Sequence, residues 1–549
     1  MNGAALVAEI LKREGMDFLS AYPRNPLIEA CADADIRPIF CRQERVGVGI
    51  ADGYSRVMKG RRNGVFAAQH GPGIENAYAG VAQAYSENVP VLIIPAGMAL
   101  SRQYTRPMYR ASESMKSVTK YAALAHNVQE LPTLMRRAFQ ALRSGRGGPV
   151  LIEIPDEVFE AEFKGALDYT PVPMQRSAPD PESVKNAARM LLAARHPIIW
   201  AGQGVLYADA SEKLAALAEM IPAPVCCTNP GKSAIADSHP LALGGSTRSR
   251  SKQYTEFMRR ADVLLAIGSS LTRTPFGPTV PRDKTIIHST NEASEINKDY
   301  RATEALIGDA GLVLDALIAE VAKQKGGGGH NTLSDLKSEI ASLKKEWLAE
   351  WAPQLNSEET PINQYRVIRD MLMTLDRDKT IVTHDSGSPR EQLLPFWETT
   401  KAGGYIGWGK STQLGYGLGL AMGAKMAAPD KLCINIMGDA SFGMTGMDIE
   451  TAARNRIGIL TVVFNNQVMA AERKVLDRVA TKYNVLDIGG NYSKVAEGLN
   501  VASQRVSEPA KIVGALKEAV KVTDKGDPFL LEIVAKEGYD FSRYELEGL

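Results

Sequence analysis

The stretch KLCINIMGDASFGMTGMDIETAARNRIGILTVVFNN, residues 431–466, reads as a strand, a helix and a second strand. The apolar runs LCINIM and GILTVVF are strand-like, and TGMDIETAARN between them has a helical pattern. Asp439 follows the first run and Asn466 ends the second, 27 residues later. That length suits a crossover between parallel strands. It predicts both residues at the carboxyl ends of neighbouring strands, where open α/β sheets bind ligands. The residue types suit a cation and a diphosphate together. Mg²⁺ takes oxygen ligands in an octahedron, one or two from side chains and the rest from phosphate and water. The Asp439 carboxylate, the Asn466 amide oxygen and the Val468 carbonyl make one such set. Gly438, Ala440 and Ser441 are small enough to let backbone N–H groups approach a diphosphate at a helix start. Alone, Gly-Asp-Ala-Ser is an ordinary strand-to-helix turn; the asparagine pair at this spacing gives it chemical meaning.

The same alternation runs through the chain. Short apolar runs occur at residues 64–69, 89–97, 149–155, 196–202, 261–269, 284–290, 379–385 and 528–535, separated by helical patterns. Continuous apolar strands between helices indicate parallel sheets covered on both faces. The expectation is an α/β protein of three doubly wound parallel-sheet domains. A proline-rich stretch at residues 169–181 reads as an extended linker, and KGGGGH at residues 325–330 as a flexible break. The domains then span residues 1–168, 182–323 and 335–549, with a helix at residues 333–351 leading into the third. A common fold for the first and third is compatible with the sequence but not visible in it.

Composition narrows the function. Lys and Arg total 64 and Asp and Glu 63, a net charge of +1, so no global field draws in nucleic acid or an anionic membrane. The cluster Lys59-Gly60-Arg61-Arg62 reads as a solvated helix end. Five cysteines without a C-x-x-C arrangement argue against a disulfide framework and suit a reducing cytoplasm. The opening MNGAALVAEILKREGMD lacks the unbroken apolar core of a signal peptide. Residues 414–428, the most apolar stretch, are too few and too glycine-rich to span a bilayer. A soluble cytoplasmic protein is expected.

The Gly-Asp-Ala-Ser-Phe and Asn-Asn elements resemble the thiamine diphosphate-binding motif of the acetolactate synthase/pyruvate decarboxylase superfamily, most of all its acetolactate synthase branch. Three more stretches carry the resemblance. CRQERVGVGIADGYSR, residues 41–56, resembles the stretch holding the family's catalytic glutamate and implies that role for Glu44. A carboxyl bonded to N1′ of the aminopyrimidine promotes loss of the thiazolium C2 proton, and partial burial with a raised pKa suits it. AAQHGPGIENAYAG, residues 67–80, resembles the family's GPGxxN turn, with Gly71, Gly73 and Asn76 matching. Gln69 and His70 just before it stand where relatives vary residues near the reacting carbon; His70 reads as a proton relay or as a satisfied, non-catalytic histidine. TQLGYGLGLAMGAKMA, residues 412–427, resembles the aminopyrimidine cradle. Leu414 falls where the family keeps a bulky apolar wedge that bends the cofactor.

The resemblance covers nearly the whole chain. It implies pyrimidine-binding, central and diphosphate-binding domains, and thiamine diphosphate with Mg²⁺. It also implies a homodimer or homotetramer, with active sites between one copy's first domain and another's third. Pro23, Gly387, Ser388, Thr412 and Met469 are further implied cofactor contacts. Some relatives bind FAD or ADP in the central domain, but no G-x-G-x-x-G follows a strand here. The chain departs from acetolactate synthases at Tyr22-Pro23-Arg24-Asn25, where they have Tyr-Pro-Gly-Gly, at Gly387-Ser388-Pro389 in place of Gly-Gln-His, and in lacking Gln-Trp-Gln after the asparagines. Arg24 then reads as a partner for a substrate carboxylate or other anion, or as a solvated turn residue. The expected activity is decarboxylation or carboligation of a 2-oxo acid, with an aldehyde or second oxo acid as acceptor. C–C lysis of a 2-hydroxy ketone or 2-hydroxyacyl-CoA is the rival chemistry, and a non-catalytic relative the rival class.

Overall fold

The computed structural model describes residues 1–275, 277, 280–324, 332–473, 475–538 and 540–546. The glycine run at residues 325–330 lies outside them. Three six-stranded sheets, all parallel, form in succession along the chain. The first contains β1 (Phe18–Ala21), β2 (Arg37–Phe40), β3 (Gly64–Ala68), β4 (Val91–Gly97), β5 (Tyr121–Leu124) and β6 (Val150–Pro155). The second contains β7 (Pro197–Ala201), β8 (Val225–Thr228), β9 (Ala242–Ser246), β10 (Val263–Ile267), β11 (Thr285–Thr290) and β12 (Glu304–Ile307). The third contains β13 (Thr380–His384), β14 (Tyr405–Ile406), β15 (Leu432–Gly438), β16 (Ile459–Asn465), β17 (Ala502–Val506) and β18 (Phe529–Val534). All ten apolar runs singled out in the sequence are strands.

The strand orders are β2-β1-β3-β4-β6-β5, β12-β11-β10-β7-β8-β9 and β14-β13-β15-β16-β18-β17. The first and third are the same order, so these domains are topological twins. The second runs outward in both directions from its first strand, the order typical of dinucleotide-binding sheets. Residues 163–180 carry no helix or strand. They are strapped to the first domain where Tyr169 Oη donates to Glu14 Oε1 at 2.6 Å and the Val172 N–H reaches the same oxygen at 3.2 Å. The helix expected at residues 333–351 runs Leu333–Leu355. Among the described residues no helix is long and apolar enough to cross a membrane, and the apolar stretch around Leu414 is instead the buried helix Tyr416–Ala427.

That helix crosses the helix Glu44–Val57 of the first domain almost backbone to backbone. A methyl group at Gly53 would stand 2.3 Å from the Leu420 carbonyl oxygen, and one at Gly423 2.0 Å from that of Ile50. Beside the crossing, Arg56 Nε donates to Asp52 Oδ1 at 2.5 Å and Tyr416 Oη to Asp52 Oδ2 at 3.0 Å. Arg56 also donates to the Gly407 carbonyl at 3.0 Å. Val46, Ile50 and Tyr54 share one apolar core with Trp408, Leu418 and Met422. The crossing therefore joins the first and third domains into one body.

Gly53→Ala should lower the melting temperature, because overpacking of about 1–3 kcal/mol outweighs the gain in helix propensity of roughly 0.5–1 kcal/mol. Gly514→Ala, in the helix Ile512–Asp524 where an added methyl meets nothing within 4 Å, should raise it slightly. Differential scanning calorimetry of the two variants checks both signs.

Candidate active site

β15 and β16 are neighbours, with Gly438 opposite Phe464 in the register. Asp439 and Asn466 therefore stand side by side at adjacent strand ends. The single helix expected over residues 445–455 is instead broken: a helix Asp439–Thr445 with Gly438 as its N-cap, a 3-10 turn Gly446–Asp448 and a second helix Ile449–Asn455. Asp439 is 3% exposed, and burial holds its carboxyl above the usual range. Its two oxygens accept the N–H groups of Ala440 at 2.8 Å and Gln467 at 2.7 Å. The Asn466 amide oxygen accepts the Val468 N–H at 3.2 Å. The Val468 carbonyl accepts the Ala470 N–H at 2.8 Å, which leaves it one lone pair. Val468 also forms an isolated bridge with Asp487, and the Met469 N–H donates to the Leu486 carbonyl. The first asparagine of the pair has a different task. Asn465 is buried and its amide donates to Glu532 Oε1 at 2.6 Å, so it belongs to the fold.

A third loop comes to the same edge. β13 ends at His384, and Gly387, at φ 87°, caps the helix Ser388–Phe396. Asp385, which sequence reasoning passed over, ties the edge together. Its Oδ1 accepts the N–H of Ser386 at 2.8 Å and of Gly415 at 2.9 Å, and its Oδ2 that of Gly417 at 3.0 Å. Thr412, Gln413 and Leu414 precede that anchor, held from the first domain where Glu87 Oε1 accepts the Gly409 and Lys410 N–H groups at 2.8 and 2.6 Å. The only sequence signal for Asp385 was a carboxylate directly after an apolar run. The edge fits a diphosphate. A methyl at Gly387 or Gly438 would meet no atom within 4 Å, so the main chain there faces open space flanked by Ser388, Ala440 and Ser441. Among the described residues no group of three His, Cys, Asp or Glu is arranged to hold a metal ion. A cation at this edge would have one carboxylate with amide and carbonyl oxygens, a donor set that fits Mg²⁺ if phosphate oxygens and water fill its remaining positions.

The remaining expected residues lie at the carboxyl edge of the first sheet. Glu44 is 4% exposed and opens the helix Glu44–Val57. Burial raises its pKa, opposed by hydrogen bonds from its own backbone and from the Asn76 side chain. Asn76 sits on the helix Pro72–Ser86, whose N-cap is Gly71 at φ 64°. Its amide thus addresses the glutamate within this chain. Gln69 and His70, half-buried, follow β3, and Pro23 and Arg24, exposed, follow β1. Asn25 fixes that turn: its amide donates to the carbonyls of Ala68 at 3.0 Å and Ile94 at 2.9 Å. Among the described residues, no hydrogen bond or ion pair joins Arg24, Glu44, Gln69, His70 or Asn76 to Gly387, Leu414, Asp439 or Asn466. The candidate residues thus fall into two groups, one at the carboxyl edge of the first sheet and one at that of the third.

A crevice of about 210 Å³ opens beside the carboxyl ends of β7 and β10, where the strand order reverses, and its wall includes Arg143 of the first domain and Lys410 of the third. Gly202, Gly204, Ser269 and Asn291 line it. Trp200 Nε1 and Asn229 Oδ1, both buried in its wall, have no hydrogen-bond partner.

Comparison with known proteins identifies the family. Three family models match in order: the N-terminal TPP binding domain of thiamine pyrophosphate enzymes over residues 1–117, the central domain over 184–317 and the C-terminal TPP binding domain over 385–533. The chain is 27% identical to the probable acetolactate synthase large subunit of Methanococcus aeolicus and 28% to that of Methanocaldococcus jannaschii, in each case over 97% of this chain and 92% of the relative. It is 24% identical to the acetolactate synthase isozyme 3 large subunit of Escherichia coli, over 95% and 92%. With its three parallel-sheet domains and these matches along nearly its whole length, the chain belongs to the thiamine pyrophosphate enzymes, the superfamily of the acetolactate synthase large subunits.

Proposed function

We propose that this enzyme decarboxylates a 2-oxo acid and passes the product to a second carbonyl or to a proton, with Mg²⁺ as its cation and its active site shared between two copies of the chain. The names of its relatives support carboligation of the acetolactate synthase type. Thiamine diphosphate supplies a carbon nucleophile at thiazolium C2 that adds to the substrate carbonyl. The residues of the chain do the rest. Asp439, Asn466 and the Val468 carbonyl hold the cation, and Gly387, Ser388, Gly438, Ala440, Ser441 and Met469 border the diphosphate. Thr412 and Leu414 shape the aminopyrimidine end, with Pro23 opposite. Glu44 exchanges a proton with the aminopyrimidine, and its burial suits that work. Gln69 and His70 face the reacting carbon, and Arg24 pairs with the substrate carboxylate.

The shared site is supported by the absence, among the described residues, of any hydrogen bond or ion pair between Glu44 or Asn76 and Asp439 or Asn466, while Glu87 and Asp448 tie the surrounding loops across the two domains of one chain. Exposed apolar side chains near both edges, Tyr78 at 38%, Met444 at 46% and Met447 at 49%, suit a second copy. A homodimer or a pair of dimers follows, and five buried free thiols suit a reducing cytoplasm. We further propose that the central crevice takes a nucleotide such as ADP or FAD. Its position at the reversal of strand order and its unpartnered Trp200 and Asn229 atoms support this.

Protein incubated with thiamine diphosphate, Mg²⁺ and pyruvate is followed by proton NMR. Acetolactate indicates carboligation and acetaldehyde simple decarboxylation. Glu44→Gln should lose roughly 10²–10⁴-fold in turnover while retaining cofactor; equal turnover in both proteins sinks the reading. Mixing inactive Glu44→Gln with inactive Asp439→Ala under subunit exchange should restore about a quarter of the activity, since half the dimers then hold one intact site. No recovery after proven exchange places each site within one chain. Arg24→Ala should raise KM with cofactor affinity unchanged. Denaturing the purified protein should release a nucleotide detectable by absorbance and mass spectrometry, and an empty crevice with no saturable ADP or FAD binding overturns that part.

A further inference from the structure

We propose that Asp448, on the third domain, is a positioning residue for Glu44, on the first: its carboxylate holds the main-chain turn that sets where the glutamate stands. This rests on the reading of Glu44 as the group that works on the cofactor.

Glu44 is the first residue of a 14-residue helix, and no side chain of its own segment caps that helix. Its entry turn, Cys41 to Gln43, comes straight off the end of β2; the Ala21 carbonyl takes the Cys41 N–H, and the Arg42 N–H needs an acceptor from elsewhere. Asp448 provides it. The side chain is buried and its Oδ1 accepts the Arg42 N–H at 2.7 Å. Thr451 Oγ1 donates to that Oδ1 at 2.9 Å, which fixes the rotamer. Burial lifts the Asp448 carboxyl to about 6, and at higher pH its ionised oxygens make the stronger, charge-assisted bonds to amide groups.

The surroundings separate this contact from general docking. Arg45 Nη2 reaches the Met444 carbonyl at 3.0 Å, Arg454 Nη2 the Phe40 carbonyl at 2.8 Å, and Arg37 Nη2 the Asn455 carbonyl at 2.9 Å. Arg42 Nη1 pairs with Glu450 Oε2 at 3.0 Å. These are long side chains with flexible stems, and they tolerate small shifts. Asp448 instead grips rigid main-chain atoms directly before the glutamate. A displacement of about 1 Å at a catalytic group is enough to cost orders of magnitude in rate.

The test uses full-length Asp448→Asn, Asp448→Ala and Glu44→Gln. In cofactor-free protein, amide hydrogen exchange of the peptide spanning residues 41–45 should quicken in both Asp448 variants. In protein loaded with thiamine diphosphate and Mg²⁺, deuterium uptake at thiazolium C2 is read by acid quench and proton NMR. It should slow about tenfold or more in Asp448→Ala and less in Asp448→Asn, which keeps one acceptor oxygen, with cofactor Kd within about twofold of the parent. Should the alanine variant not fold, the asparagine variant alone decides. Unchanged C2 exchange, or slowing matched by an equal loss of cofactor affinity, overturns the positioning role while leaving Glu44 in place. Fast C2 exchange in Glu44→Gln removes the underlying reading, and both fall.

Discussion

Where the helices Glu44–Val57 and Tyr416–Ala427 cross, two main chains touch with nothing between them but hydrogen. Almost everything else in the molecule depends on that contact. It is possible because Gly49 and Gly53 meet Gly419 and Gly423, and any larger residue would force the domains apart. Alongside it, Asp52, Arg56 and Tyr416 form a buried polar network between the two domains. A buried ion pair adds little net stability over apolar packing, yet removal of one partner leaves an uncompensated charge costing about 3–5 kcal/mol. The network thus fixes one register for the crossing rather than strengthening it. The first helix begins at Glu44 and the second starts two residues after Leu414, so their register bears on where both residues stand.

One physical device recurs around the site. Carboxylates accept main-chain N–H groups and so hold loops that have no sheet or helix partner. Asp385 gathers the segments at Ser386, Gly415 and Gly417; Asp439 joins its own helix to the turn after β16; Glu87 holds the approach to Thr412; Asp448 holds the approach to Glu44. Two of these four reach from one domain to another. A carboxylate suits the task because it offers several lone pairs and no donor, so one buried side chain satisfies two or three amides at once. The resulting loops are rigid without being regular, which positions groups for chemistry while leaving Gly387 and Gly438 open to a ligand.

The twin topology of the first and third sheets gives this arrangement a simple logic. Each presents a carboxyl edge with a buried acidic residue, Glu44 on one and Asp439 on the other. The central sheet follows a different order, and its crevice lies at the reversal of that order. In all three sheets the candidate residues lie beyond the carboxyl ends of the strands, where open α/β sheets meet their ligands.

Local sequence determined the ten long apolar strands, the parallel α/β class, the strand–helix–strand unit around Asp439 and Asn466, and Glu44 by resemblance. These are patterns written over a few neighbouring residues, where burial on both sheet faces leaves an unbroken apolar run. The eight strands it did not reveal are two to five residues long, and six of them are sheet edges, four of these partly solvated, so that no such run stands out. Only the tertiary structure decided that the first and third sheets share an order, that Asn465 is bonded to the buried Glu532 while Asn466 stands half-buried at the strand end, and that Asp385 and Asp448 hold loops through their N–H groups. A carboxylate's partners are backbone amides tens or hundreds of residues away, as with Arg42 and Asp448, and an amide leaves no mark on the residue type that carries it. That is why the chemistry was legible in the sequence and its positioning was not.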